Sequence, residues 1–418
     1  MAAKSAIVLG AGIYQVPLIR HVQDRGMRAI VLSIPGAYPG IALADEFVPV
    51  NTTDERGVVQ IARDRGVSAV LTTGTDVALR SLGAVVDELG LPGPSYETAF
   101  KATNKLDMKR ALAAGDVRTA RFVEVLGPSQ AEAAWDELFR SHDADIPWNG
   151  VMAKCPDRSG SRGIVRACSR DDARLAIERA IGASLCGYAL MEEFVKGHEI
   201  GVDGYVDERG SVSLMALHDK VVMSNGSTNV PVGHRMSAGF TKECLNQTDI
   251  AEQVARTARA IGMRSCFYNM DVLVDDAGRA WVIEVGVRAG ATCIPEVVGG
   301  HLGFDYYDAM VDAALGEQPI FPRSPLRGAS EGRLLVTMRD AVAAQVDIAS
   351  VLSPIEARHG LTLDASLDYE PGEDLPRFEN GTSRIGQVTC VGDDPAAVSA
   401  AVDEASAALV ERYAQERR

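Results

Sequence analysis

In the stretch VIEVGVRAG, residues 282–290, Glu284 interrupts an apolar run and Arg288 follows four residues on. A carboxylate inside such a run costs free energy unless a cation meets it. A second acid, Asp271, lies in FYNMDVLVD, and the turn signal DDAG separates the two runs. Antiparallel pairing across that turn would bring both carboxylates to one end and one face of a hairpin. Two hard oxygen donors there suit Mg²⁺, which takes a couple of carboxylates plus substrate phosphates. With no cation between them, the two acids would raise each other's pKa and lose stability.

Cations and glycines that could hold a phosphate lie upstream. NKLDMKRAL sets Lys105 and Lys109 at i, i+4 on one helical face, which alone reads as a solvated surface. GVMAKCPDRSGSRGIVRA places Lys154 in an apolar strand just before Ser159, Gly160, Ser161, Arg162 and Gly163. Backbone N–H groups of such a loop can close over phosphate oxygens; the plainer reading is a hairpin turn with a lysine at its strand end. ALMEEFVKGHE closes an apolar strand with Glu192 and Glu193, then Glu199, a layout that can pair backbone with a purine edge and a carboxylate with ribose hydroxyls. Taken singly, these acids are ordinary solvated surface. GAGIYQ, residues 10–15, has the setting of a dinucleotide fingerprint, but Gln15 stands where the third glycine belongs and the second strand ends VLSI with no acid. NAD is thereby disfavoured, leaving a tight turn or a small-anion site at that helix start. HDKVVMSNGSTNVPVGHRMSAGF reads as a substrate loop offering His218, Lys220, His234 and Arg235, although a lone histidine is more often structural. Cys293, just past Arg288, could line the pocket, although a buried inert thiol is the plainer reading.

The elements that must position these groups fall into distinct patterns. Residues 5 to about 100 alternate β-branched runs (SAIVLGAG, RAIVLSIP, EFVPV, SAVLTTGTD) with amphipathic stretches, which predicts a parallel doubly wound sheet with its ligand edge at the strands' C-terminal ends. From residue 147 onward hairpins and separate helices give α+β material, and the Pro- and Gly-rich PIFPRSPLRGASEG marks a boundary near residue 325. At 418 residues the chain is too long for one core. A net charge of −15 opposes a general nucleic-acid surface. The 7 dispersed cysteines, with no CxxC pair, suit a reducing cytosol. MAAKSAIVLG reads as a first strand rather than a signal peptide, and no apolar run approaches a membrane span.

Taken in order, NK at 104–105, the Lys154 strand with its glycine loop, EEFVKGHE, Asp271 and EVGVR resemble the ATP-grasp superfamily of carboxylate–amine or carboxylate–thiol ligases. The resemblance runs from about residue 1 to 320, and the tail is similar to the extra C-terminal domain of the L-amino-acid (dipeptide) ligase branch. It implies an α/β N-terminal parallel-sheet domain over 1–103, α+β ATP-grasp domains over 104–325 with a mobile lid at about 125–190, and a small α+β C-terminal domain over 326–418. ATP would lie between two subdomains, with Lys105 and Lys154 on the α- and β-phosphates and residues Ser159 to Gly163 over the β- and γ-phosphates. Glu192 and Val195, with Glu193 between them, would form the adenine hinge, and Glu199 would bind the ribose. Asp271 and Glu284 would carry Mg²⁺, with Mn²⁺ as a substitute, and Arg288 would face an acyl phosphate. The implied reaction is ATP-dependent C–N ligation of a small carboxylate and an amine through that acyl phosphate, releasing ADP and phosphate. The implied setting is a cytoplasmic homodimer with neither nucleic-acid nor membrane partners. The family pattern around the second metal ligand is E-x-N-x-R, and here Gly286 stands in place of the Asn. That departure keeps two alternatives open. One is another ATP-grasp reaction, such as carboxylation or phosphorylation of a purine precursor or carbamoyl phosphate-type chemistry. The other is a non-catalytic nucleotide-binding protein.

Overall fold

The computed structural model describes residues 4–143, 147–157, 163–224 and 229–416. Strands Ser5–Leu9 and Arg28–Ser33 are almost continuously apolar and buried, as a parallel sheet covered on both faces requires. They pair in parallel in the order Glu46–Pro49, Arg28–Ser33, Ser5–Leu9, Ala69–Leu71. Helices Val16–Asp24, Glu55–Arg65 and Leu79–Leu89 fall on the amphipathic stretches. Asp54 starts the second of these by accepting from Gly57 N–H, and Gly66 ends it in the left-handed region.

The body of the molecule is an eight-stranded antiparallel sheet. Its order is Ala280–Gly286, Cys266–Val274, His198–Val206, Val212–Ser224, Asn229–Ser237, Ala329–Leu335, Gly386–Gly392, Thr362–Leu367. Pairing continues across the Pro- and Gly-rich segment, because Asn229–Ser237 lies against Ala329–Leu335. The first sheet and the body share apolar core: Val8 and Leu71 belong to one cluster with Phe267, Val297 and Met310. A separate four-stranded antiparallel sheet, Phe122–Val125, Ala189–Glu193, Val151–Lys154, Ile164–Ala167, carries helices Ala131–Ser141 and Arg170–Ala183 on a core of its own. In that unit Trp135 meets Trp148 edge-on with ring centroids 5.4 Å apart. No helix among the described residues is long and apolar enough to cross a membrane.

One expectation is corrected. The segment read as a substrate loop is two paired strands, with Lys220 opposite His234 and a shift of register between Val221 and Val222. Its polar residues disguise the strand periodicity because several of them bond to one another inside the sheet.

Candidate active site

The hairpin expected from the acids forms, and Asp271 stands directly opposite Glu284, with a bulge on the turn side of Asp271. Gly278, at φ +74°, closes the turn by donating its N–H to the Asp275 carbonyl at 2.9 Å. A lysine holds each acid. Lys105 Nζ lies 3.0 Å from Glu284 Oε1. Lys220 Nζ lies 2.5 Å from Asp271 Oδ1 and 2.6 Å from Glu199 Oε1. Burial alone would lower the pKa of Lys220, but Asp271 and Glu199 outweigh it and raise it, and Glu284 does the same for Lys105. Lys220, expected on a substrate loop, therefore bridges the acid expected at the ribose and one of the acids expected at the metal.

Lys105 opens the helix Lys105–Ala114, which begins there because the Asn104 side chain accepts from the N–H groups of Leu106 and Asp107. Its own N–H donates to the Pro156 carbonyl at 2.8 Å, tying the helix to the Lys154 strand. One turn on, Lys109 is 1% exposed and shares Glu192 Oε2 with Lys154, at 3.1 Å and 2.9 Å. Burial opposes the charge on Glu192, yet Lys109 and Lys154 hold its pKa down; for Lys109 burial prevails over Glu192 and lowers the pKa to about 8. Two ammoniums against one carboxylate leave a buried positive excess, the environment a phosphate would neutralise. Glu192 Oε1 is buried with no hydrogen-bond partner among the described residues.

Glu193 points to the opposite face of the strand and bonds His142 Nδ1 at 2.7 Å inside the lid. Its side chain is thus turned away from the Lys109–Lys154 cluster. Val195 joins Ala120, Trp281, Leu273 and Ile283 in a small apolar cluster whose last two members are partly buried, a cluster that sequence reading missed. Gly163, at φ +67°, closes the glycine hairpin by accepting from Cys155 N–H at 3.0 Å. Asp157 anchors the same loop's other end on the N–H groups of Leu185 and Cys186, at 2.9 and 2.8 Å. Ser159, Gly160, Ser161 and Arg162 lie outside the described residues.

Arg288 heads a chain of buried polar contacts. Its Nη2 lies 2.8 Å from Asp76 Oδ1, and its Nη1 donates to Asn269 Oδ1 at 3.2 Å. Asn269 Nδ2 donates to Asp203 Oδ2 at 2.7 Å, and Asp203 also holds His218 Nε2 at 2.9 Å and Gly290 N–H at 3.0 Å. His218 and His234 share a hydrogen bond at 3.0 Å. Both imidazoles are fully buried, and burial pushes the pKa of His234 well below its ordinary value. This corrects the expectation that they line a substrate loop: they brace the segment behind Arg288 from inside the sheet. Gly201 makes room for them, since a Cβ there would stand 1.8 Å from His218 Cε1. Cys293 is a buried thiol whose pKa burial raises. Gln15 fills the entrance of its own helix, accepting from Gly12 N–H at 2.9 Å and donating to the Thr73 carbonyl.

A cavity of about 620 Å³ opens between the first sheet, the four-stranded sheet and the hairpin of Asp271 and Glu284, with Asp76, Arg80, Phe100, Lys105, Asp157 and Glu284 among its walls. Residues 152–296, which span the lysine strand, the hinge and both acids, match the family model described as ATP-grasp domain. Across 386 residues the chain is 24% identical to the protein y4rH of Sinorhizobium fredii, covering 89% of this chain and 75% of that one. Its fold follows the phosphoribosylglycinamide synthetase of Anaerococcus prevotii, with a TM-score of 0.78, 22% identity and all of both chains covered. It also follows the L-amino acid ligase of Bacillus licheniformis, with a TM-score of 0.74, 15% identity and 99% of each chain covered. The ATP-grasp domain match over residues 152–296 thus lies within a fold shared along the whole chain with these two structures.

Proposed function

We propose that the protein is an ATP-dependent carboxylate–amine ligase. The observation that supports this best is the convergence of Lys105 on Glu284, opposite Asp271, with the Lys109–Glu192–Lys154 cluster where helix Lys105–Ala114 meets the four-stranded sheet. In this reading Lys105 and Lys154 neutralise phosphate oxygens and residues 159–163 cover them. The backbone of Glu192 to Val195 meets the adenine edge above the Leu273–Ile283 cluster, and Glu199 takes the ribose. Asp271 and Glu284 form a hard-oxygen pair that fits Mg²⁺, and both are already held in the field of a cation. The ion, when bound, would supply charge neutralisation on the phosphoryl oxygens.

The substrate carboxylate attacks the γ-phosphorus and ADP leaves. The amine then adds to the acyl carbon, a proton leaves the nitrogen, and phosphate departs as the C–O bond breaks. Arg288 faces the oxyanion of that addition, and the lid keeps water from the acyl phosphate. Phosphate release with ATP and Mg²⁺, screened over amino acids singly and in pairs with bicarbonate as a separate arm, tests the reading. Release that depends on an acid–amine pair is expected; release with bicarbonate alone would indicate carboxylation instead. Glu284→Gln should abolish release, and unchanged turnover would remove Glu284 from the site.

A further inference from the structure

Arg80 is the cation of the cavity wall that no acid holds. It sits in the first turn of helix Leu79–Leu89, and its guanidinium carbon lies 4.5 Å from the centre of the Phe100 ring, on the neighbouring helix Tyr96–Thr103. Its Nε donates to Thr103 Oγ1 at 3.1 Å, and that hydroxyl is itself fixed by donating to the Ala99 carbonyl at 2.9 Å. Stacking covers one face of the guanidinium and Thr103 takes one of its N–H groups, so the edge formed by Nη1 and Nη2 is left, with no carboxylate within ion-pair distance among the described residues. We propose that this edge binds a substrate carboxylate that the reaction does not consume, in two parallel N–H···O bonds. The inference rests on the ligase reading given above and narrows it: one of the two substrates carries a free carboxylate, as the amine partner does when it is an amino acid.

Three further observations support it. First, the four acids of the same wall are engaged elsewhere: Glu55 accepts from the Tyr96 hydroxyl at 3.3 Å, Asp76 lies 2.8 Å from Arg288, Asp157 accepts from the N–H groups of Leu185 and Cys186, and Glu284 lies 3.0 Å from Lys105. Arg80 therefore awaits an anion from outside the chain. Second, it is carried on the same short stretch as the group that meets Arg288. Asp76 precedes it by four residues, and Leu79 N–H donates to the Asp76 carbonyl at 3.2 Å. A substrate reacting in front of Arg288 thus has a second cation on the adjoining wall. Third, the residue type and its setting suit a carboxylate. A guanidinium is a planar fork that matches two carboxylate oxygens, and one already stacked and bonded loses little freedom on binding. A ligase that activates one carboxylate and must spare another needs a separate cation for the second, and Lys105, Lys109 and Lys154 are grouped on the other side, at helix Lys105–Ala114 and strand Val151–Lys154.

The test is titration calorimetry on the full chain, saturated with Mg²⁺ and the β,γ-imido analogue of ATP, with the proteinogenic L-amino acids and the corresponding amino-acid amides as probes. An amide keeps the amine and the side chain and loses only the charge that Arg80 would meet. Amino acids that bind are expected to do so about tenfold or more tightly than their amides. Arg80→Met keeps the packing on Phe100 without the charge, and should remove that preference while the analogue binds as before. Arg80→Gln repeats the measurement if the thermal melt of Arg80→Met shifts. Equal affinity for acids and amides, a preference that survives in Arg80→Met, or no amino acid bound at all overturns the inference. So does a loss of analogue affinity in a variant whose melt is unchanged, because that result gives the guanidinium to a nucleotide phosphate. The two levels separate in the phosphate-release screen. A chain that releases phosphate with an acid–amine pair yet shows no preference for acid over amide loses only the Arg80 contact; a chain that binds neither the analogue nor any amino acid loses the ligase reading, and the contact with it.

Discussion

Glu192 is the residue on which the lid's charge depends. Its carboxylate sits 2% exposed between Lys109 and Lys154, so Glu192→Gln would leave two buried ammoniums facing an amide. Removing one member of a buried ion pair costs about 3–5 kcal/mol, and urea unfolding should register that loss; a loss under about 1 kcal/mol would mean that water reaches the cluster and that the pair is worth no more than a surface one. At this scale the sequence was most informative where a charge interrupts an apolar run, as at Lys154, whose ammonium is buried against Glu192; Asp271 and Glu284 interrupt their runs likewise but keep side chains 29% and 40% exposed. Asp76 and Asn269 were not legible. Asp76 lies among polar loop residues, and Asn269 acquires its partners only when strands distant in sequence meet.

Among the elements, helix Val16–Asp24 is tied to the start of helix Tyr306–Ala314 by a titratable contact. His21 Nε2 lies 3.2 Å from Asp305 Oδ2, and its Nδ1 lies 2.7 Å from the Pro17 carbonyl. The Asp305 hydrogen bond raises the pKa of His21 to about 9. A folded-state pKa above the unfolded value of about 6.5 gives a stabilisation that is complete below that value and is lost as pH rises through about 9. Thermal melts should therefore show a decline in Tm between pH 7 and 9.5 that Asp305→Asn flattens, while the helix cap survives because Asn caps as well as Asp. An identical decline in the variant would assign the pH dependence elsewhere. The strands and helices of the first sheet were legible because their apolar periods are uninterrupted. The hairpin of Val212–Ser224 and Asn229–Ser237 was not, since His218, Lys220 and His234 face the interior and break the apolar alternation.

At the scale of the whole molecule, two kinds of core coexist. The parallel sheet and the eight-stranded body share one apolar cluster, whereas the lid packs around Trp135 and its neighbours by itself. Units with separate cores open separately. Hydrogen exchange should show amides of Val151–Lys154 and Ala189–Glu193 exchanging faster than those of Cys266–Val274, with an ATP analogue slowing the lid selectively; uniform exchange across both would show one cooperative unit. The Pro and Gly content near residue 325 marks where the chain turns, while the pairing of Asn229–Ser237 with Ala329–Leu335 carries the sheet across it. Composition registers the turn but not the hydrogen bonds that span it.

The lysines resting on Glu284 and Asp271 have a consequence for the order of events. A lone divalent ion reaching these acids would compete with the ammoniums already resting on them, of which Lys220 keeps Glu199 as a second partner. Escorted by a triphosphate, the same ion brings fresh oxygens for the displaced amines, and the charge of the cleft changes far less. On the proposed metal reading, the nucleotide would then act as the ion's entry permit.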